Sequence, residues 1–142
     1  MSAQPVTGRL VDVRCDDAGV DAASLAGRTI VIVDDHPSFR AAARFMLEAD
    51  GFQVVAVAVD GESGVREALR TSPEIVLLDV SLPDIDGFEV ASRLRAAGAS
   101  SAIVFTSSRD GSDFGSLIAD AGGSGFIPKA ELSGDALRAL VA

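Results

Sequence analysis

Cysteine occurs once in the 142 residues, at Cys15, so no disulfide can close within the chain and an oxidising compartment is not implied. A reducing cytoplasm is the expected setting. Tryptophan and tyrosine are absent, which leaves aliphatic side chains and seven phenylalanines to build a core. Basic residues are scarce: 12 Lys and Arg stand against 21 Asp and Glu, a net charge of −9, and they form no cluster. Neutralising phosphates needs clustered Lys and Arg, so this domain is not expected to bind nucleic acid or an anionic membrane directly. No run reaches the roughly 20 apolar residues of a membrane span, and no basic start leads into an apolar stretch at the N-terminus. Length allows one domain that can bury a core without staples.

What is present centres on Asp79. Four apolar residues, Ile75-Val76-Leu77-Leu78, follow Ser72-Pro73-Glu74 and run into Asp79, with the breakers Ser81-Leu82-Pro83-Asp84 beyond. This is the pattern of a short buried strand that delivers one carboxylate to its carboxyl end. Thr29-Ile30-Val31-Ile32-Val33 repeats the pattern and ends in Asp34-Asp35. Ligands of open α/β sheets bind beyond the carboxyl ends of the strands, so these acids are site candidates. Two carboxylates about 4 Å apart repel by roughly 4 kcal/mol at an effective dielectric near 20, so the cluster calls for a cation or a proton. All-oxygen donors of this kind favour Mg²⁺, and Mg²⁺ beside carboxylates points to phosphoryl chemistry.

Residues 1–27 are rich in Ser, Ala, Gly and Asp and are expected to be a loosely ordered extension or an added edge element. From Arg28 the pattern is regular. Strands are predicted at Thr29–Val33, Gln53–Val59, Glu74–Leu78, Ala102–Phe105 and Gly125–Ile127, and five helical patterns follow them in turn. The helix faces are read from Phe39, Ala42, Ala43 and Met46; from Val65, Ala68 and Leu69; and from Val90, Ala91 and Leu94. Phe114, Leu117, Ile118 and Ala121 mark the fourth, and Leu132, Ala136, Leu137 and Leu140 the fifth. Gly51, Gly98 and Gly122 stand where helices should stop, and Pro37, Gly61 and Ser133 where they should start. Asp84 and Asp86 are expected to cap the third helix. Alternating strands and helices predict a doubly wound α/β fold, (βα)5, around a five-stranded parallel sheet.

The residues at the strand ends resemble those of the response-regulator receiver domain. They are Asp34-Asp35 after the first strand, Asp79 after the third, Thr106 after the fourth and Lys129 after the fifth. The segments Asp-Asp-His-Pro-Ser-Phe-Arg at 34–40, Leu-Pro-Asp-Ile-Asp-Gly at 82–87 and Ala-Gly-Gly-Ser-Gly-Phe-Ile-Pro-Lys at 121–129 are similar especially to the NarL/FixJ type. The resemblance covers residues 28–142 and implies a flavodoxin-like sheet of order 2-1-3-4-5. It implies Asp79 as phosphoacceptor from a sensor histidine kinase or phosphotransfer protein. It implies Mg²⁺ held by Asp34, Asp35, Asp79 and the backbone carbonyl of Ser81, with Lys129 beside the phosphoryl oxygens. Thr106 would be the switch hydroxyl and Phe126 the aromatic that turns inward with it, with Ser107 left open as an alternative switch. Ser81 and Ser108 occupy positions that tune phosphoryl lifetime in the family. The signal would be read on the fourth helix, fifth strand and fifth helix, a face that also serves homodimers. Such a domain dephosphorylates itself but is not a turnover enzyme, and it controls an output, often transcription.

Other functions fit the same residues less well. An aspartyl phosphohydrolase of the haloacid-dehalogenase type would want Asp-x-Asp after its strand, which neither Asp34-Asp35-His36 nor Asp79-Val80-Ser81 supplies. A flavin-binding module would need a glycine- and hydroxyl-rich phosphate loop where two acids stand. The remaining rival is a receiver-like docking module that signals without phosphorylation, since retained site residues show competence and not use. His36 is read as a loop residue, neither general base nor Mg²⁺ ligand. Whether the receiver acts alone or belongs to a longer transcription regulator is left open by the residues.

Overall fold

β-branched and aliphatic runs form the sheet because both of its faces are covered, and a strand buried on both faces has no need of polar alternation. The computed structural model describes residues 28–108, 114 and 116–141. Its strands are β1 (Thr29–Val33), β2 (Gln53–Ala58), β3 (Ile75–Asp79), β4 (Ala102–Ser107) and β5 (Gly125–Pro128). They alternate with α1 (Pro37–Ala49), α2 (Gly61–Thr71), α3 (Gly87–Ala96), α4 (Leu117–Asp120) and α5 (Gly134–Val141), and a 3-10 turn spans Lys129–Glu131. The five strands pair in the order β2-β1-β3-β4-β5, all parallel. This is the expected doubly wound, flavodoxin-like (βα)5 sheet. No described helix is long and apolar enough to cross a membrane.

The two-residue period of the strands divides the core into two layers. Ile30, Ile32, Ile75 and Leu77 point to the side covered by Ala43 and Leu47 of α1 and Leu137 of α5. Val31, Val33, Val76 and Leu78 point to the side covered by Ala68 of α2 and by Val90, Ala91 and Leu94 of α3. Ile32, Leu78, Leu94 and Phe105 are among the side chains completely enclosed. Burying each such side chain stabilises the fold by about 1.5–3 kcal/mol.

Gly51, Gly98 and Gly122 adopt φ of 96°, 84° and 79° where the three helices stop, a left-handed conformation that only glycine reaches without strain. Several local expectations are corrected. In α1 the inward face is Ala43 and Leu47 with Phe39 and Met46 alongside, while Ala42 is exposed, because the stripe follows the four-residue spacing from Ala43. β2 stops one residue early and leaves Val59 half exposed, whereas β3 starts at Ile75 and runs through Asp79. α4 is a single turn of four residues; Phe114 precedes it and Leu117 is half exposed. Leu132 is buried ahead of α5, and the hydroxyl of Ser133 accepts from the Ala136 N–H at 3.0 Å. The expected extension at residues 1–27 lies outside the described residues.

Candidate functional site

Four neighbouring strands, β1, β3, β4 and β5, end on the same edge, and each delivers a polar side chain there. β1 runs directly into Asp34, which is fully buried, and then Asp35, whose side chain is one-third exposed. Asp79 closes β3, pairs in register with Thr106 of β4, and is 2% exposed. β5 is followed at once by Lys129. The sheet thus gathers Asp34, Asp35, Asp79, Thr106 and Lys129 from segments as much as 95 residues apart.

The Lys129 ammonium is the local counter-charge. Its Nζ lies 2.7 Å from Asp34 Oδ2 and 3.3 Å from Asp79 Oδ2. The ring of Phe39, one turn into α1, sits 4.7 Å from the same nitrogen, close enough for a cation–π attraction. The backbone N–H of Ser81 donates to Asp79 Oδ1 at 3.1 Å, and the Arg40 guanidinium donates to the Asp34 carbonyl at 2.8 Å. Burial raises the pKa of Asp79 above the ordinary carboxylate value; the Ser81 N–H opposes that rise, nearby Asp34 adds to it, and Lys129 counters it.

One ammonium does not balance three carboxylates. Asp34, Asp35, His36 and Asp79 each offer one ligand atom within 4.8 Å of the others. The Thr106 hydroxyl is buried with no hydrogen-bond partner among the described residues, while the buried Asp34 Oδ2 and Asp35 Oδ1 meet only the Lys129 ammonium at 2.7 Å and His36 Nδ1 at 3.2 Å. Buried oxygens of this kind carry a desolvation cost that a hard cation relieves. The residues present therefore fit Mg²⁺: excess negative charge, oxygen donors and unsatisfied lone pairs at one point.

Glycine holds Asp79 from below. A Cβ on Gly87, the first residue of α3, would stand 2.4 Å from the Asp79 carbonyl oxygen, so the helix start fits there only without a side chain. Asp86 caps α3 as expected, accepting from the Glu89 N–H at 2.8 Å. Asp84 does not. Its two oxygens accept from the Gly61 and Glu62 N–H groups at 2.8 and 2.9 Å, so it caps the start of α2 and ties the loop after Asp79 to that helix. The spacing to Gly87 suggested the nearer helix, and only the tertiary fold brings the farther one.

The switch candidates sit in one aromatic train. Phe126 of β5 packs at 5.5 Å against Phe114, which packs at 5.8 Å against Phe88, which lies 4.9 Å from Phe105. Phe88 follows Gly87 and Phe105 precedes Thr106, so the Phe88–Phe105 end of the train adjoins the acid pocket. Thr106 and Ser107 are both buried at the end of β4; Thr106 is the one in register with Asp79. Ser81 and Ser108 are exposed at the mouth. Sequence reasoning set His36 aside, yet its Nδ1 stands 3.1 Å from Asp34 Oδ1 and 3.2 Å from Asp35 Oδ1. Phe39 and Gly87 were read only as a core residue and a helix neighbour. Pro37 directly after Asp34-Asp35-His36 was the available signal for His36, because Pro favours the first helical position and so leaves His36 as the N-cap beside the acids.

The description "Response regulator receiver domain" matches residues 30–142. A Pseudomonas aeruginosa protein described as a transcriptional regulator is 35% identical over 102 residues, covering 72% of this chain and 49% of that protein. The DNA-binding transcriptional activator EvgA of Escherichia coli is 33% identical over 112 residues, covering 79% and 55%. The chain thus spans about half the length of the curated relatives it matches. Among solved structures, a LuxR-family two-component response regulator from Aurantimonas superimposes with a TM-score of 0.69 at 31% identity, covering 79% of this chain and 81% of that one. The NarL signal receiver domain from Mycobacterium tuberculosis gives 0.73 at 26% identity, covering 80% and 96%. Fold, carboxyl-edge acids and a match across most of its length agree: this chain belongs to the response regulator receiver family, beside relatives of the LuxR/NarL type.

Proposed function

We propose that this receiver takes a phosphoryl group onto Asp79 from the phosphohistidine of a sensor histidine kinase or phosphotransfer protein. The observation that carries the reading is the pairing of Lys129 Nζ with Asp79 Oδ2 at 3.3 Å inside a cluster of three carboxylates. Asp79 attacks as the ionised carboxylate; a new O–P bond forms, the N–P bond of the donor breaks, and the imidazole departs with its electron pair. Lys129 and the Ser81 N–H favour that ionised form against burial. Asp34, Asp35, Asp79 and the Ser81 carbonyl are the residues that would hold Mg²⁺, which when bound neutralises charge on the transferring group. Lys129 offers its point charge to the phosphoryl oxygens.

Thr106 is the proposed switch. Its hydroxyl has no hydrogen-bond partner among the described residues, and a bond to a charged phosphoryl oxygen contributes roughly 1.5–3 kcal/mol, enough to shift a two-state equilibrium more than tenfold. Movement of Thr106 is relayed through Phe105, Phe88 and Phe114 to Phe126, and so to the face made by α4, β5 and α5. That face would serve an output such as transcription, or a homodimer. The exposed hydroxyls of Ser81 and Ser108 leave water access to the acyl phosphate and so permit self-dephosphorylation. Residues 28–142 are assigned to the receiver and 1–27 to a separate extension, in a cytoplasmic setting.

The test is intact mass after incubation with acetyl phosphate and Mg²⁺. A gain of one phosphoryl group that requires Mg²⁺ and disappears in Asp79→Asn supports the reading. No gain in a folded, Mg²⁺-competent protein leaves the phosphorylation-independent docking module as the function.

A further inference from the structure

The ring of His36, the single histidine of the chain, turns into the acid pocket although α1 does not need it there. His36 occupies the N-cap position of α1, yet its side chain makes no capping hydrogen bond. Its backbone N–H donates instead to Asp34 Oδ1 at 2.8 Å, and Pro37 fixes the chain direction immediately after it. So anchored, the ring places Nδ1 3.1 Å from Asp34 Oδ1, 3.2 Å from Asp35 Oδ1 and 3.4 Å from Lys129 Nζ. The two carboxylates are those already assigned to a cation, and the ammonium is their counter-charge.

The spacing is that of a coordination sphere slightly relaxed. Donors held about 2.1 Å from one ion lie about 3 Å apart when adjacent and about 4.2 Å apart when opposite. One ligand atom from each of Asp34, Asp35, His36 and Asp79 falls within 4.8 Å of the others, so closing on an ion needs only a fraction of an ångström. The His36 side chain is 61% exposed, so water can serve its other nitrogen when Nδ1 presents a lone pair. Mg²⁺ gains little from an imidazole, because it is a hard ion that prefers oxygen. First-row transition dications gain from nitrogen, increasingly so along the series from manganese to copper.

We infer that His36 is a nitrogen ligand that opens this cation site to first-row transition dications such as Co²⁺ beside Mg²⁺. The inference rests on the reading of the acid pocket as a cation site. An oxygen-only pocket would rank these ions by carboxylate affinity alone; a pocket with one imidazole adds a preference that Mg²⁺ does not share. Residue 36 therefore sets which metals compete for the phosphoacceptor's pocket.

Calorimetric titration of the untagged full chain with Mg²⁺ and with Co²⁺, repeated on His36→Gln, separates the possibilities. The expected result is a Mg²⁺ affinity that changes by less than about twofold while Co²⁺ affinity falls about tenfold or more, since losing even an outer partner of a ligand commonly costs that much. Paramagnetically shifted imidazole proton resonances should appear with Co²⁺ in the wild-type chain and vanish in His36→Gln; a single histidine makes their origin unambiguous. Mg²⁺ binding with an unchanged Co²⁺ preference in the variant, and no shifted ring signals, overturns the ligand role and leaves the cation site standing. Binding of neither ion to a folded wild-type chain overturns both.

Discussion

Gly87 and Asp79 meet backbone to backbone: a methyl group on Gly87 would come within 2.4 Å of the Asp79 carbonyl oxygen and 3.0 Å of the Val80 Cα. The glycine is not there for its torsion angles, since it is not among the residues with positive φ. It is there for space. The Gly87 N–H donates to the Val80 carbonyl at 2.8 Å, so the start of α3 and the strand end that carries Asp79 form one rigid piece.

Gly87→Ala should therefore be destabilising through overpacking, by about 1–3 kcal/mol. It should also displace Asp79 and slow phosphoryl acceptance by on the order of tenfold or more, as sub-ångström misplacement at reacting groups does. Urea melts and the time course of mass gain with acetyl phosphate read the two effects. Wild-type stability in the variant would show that α3 is not seated on the strand.

Thr106 predicts an effect of the opposite sign. Its buried hydroxyl has no hydrogen-bond partner among the described residues, and an unsatisfied group of that kind costs about 1–3 kcal/mol. Thr106→Val keeps the shape and removes the hydroxyl, so the resting protein should become more stable by about 1 kcal/mol while its conformational response to phosphorylation is lost. Chemical denaturation beside fluorine NMR of labelled phenylalanines would read both. A variant less stable than wild type would mean that the hydroxyl is satisfied at rest.

Asp79 makes stability depend on pH in a definite direction. Burial, with Asp34 adding to it, raises its folded pKa above the ordinary 3.8, so the native state binds more protons than the unfolded chain between those two values. The favourable contribution is complete below pH 3.8 and is lost as pH rises through the native pKa. Measured without divalent cations, wild-type stability relative to Asp79→Asn should decline across that window. Added Mg²⁺ should reverse the decline at neutral pH by binding the folded state. A difference that stays flat or grows with pH would contradict the electrostatics.

Asp84 has the reverse dependence. Desolvation pushes its pKa up, but the N–H groups it accepts from, those of Gly61 and Glu62 first, outweigh that and hold it at about 2. The unfolded chain then binds more protons between about pH 2 and 3.8, so the stabilisation is complete above 3.8 and is lost as pH falls toward 2. Asp84→Ala should thus be less stable than wild type at neutral pH, with a gap that narrows in acid. A gap that is constant from pH 7 to 2.5 would sink the charged-cap account.

Most of the architecture was legible in the residues because strand and helix periods, helix stops and breakers are local signals. Thr29–Val33 announced β1 by its unbroken β-branched run, Gly51, Gly98 and Gly122 announced three helix ends, and Asp34, Asp35, Asp79 and Lys129 stood directly after apolar runs. Parallel pairing then had to bring those strand ends to one edge. What the residues did not reveal are contacts between segments far apart in the chain. Asp84 caps a helix 23 positions earlier, not the one three positions ahead; the ring of Phe39 lies beside an ammonium 90 residues away; and Gly87 is defined by the backbone beneath it. The hydrophobic pattern decides which faces are buried, and so the sheet and its edge. Which side chain meets which across that edge depends on packing distances of a few ångströms, and these exist only once the whole chain is folded.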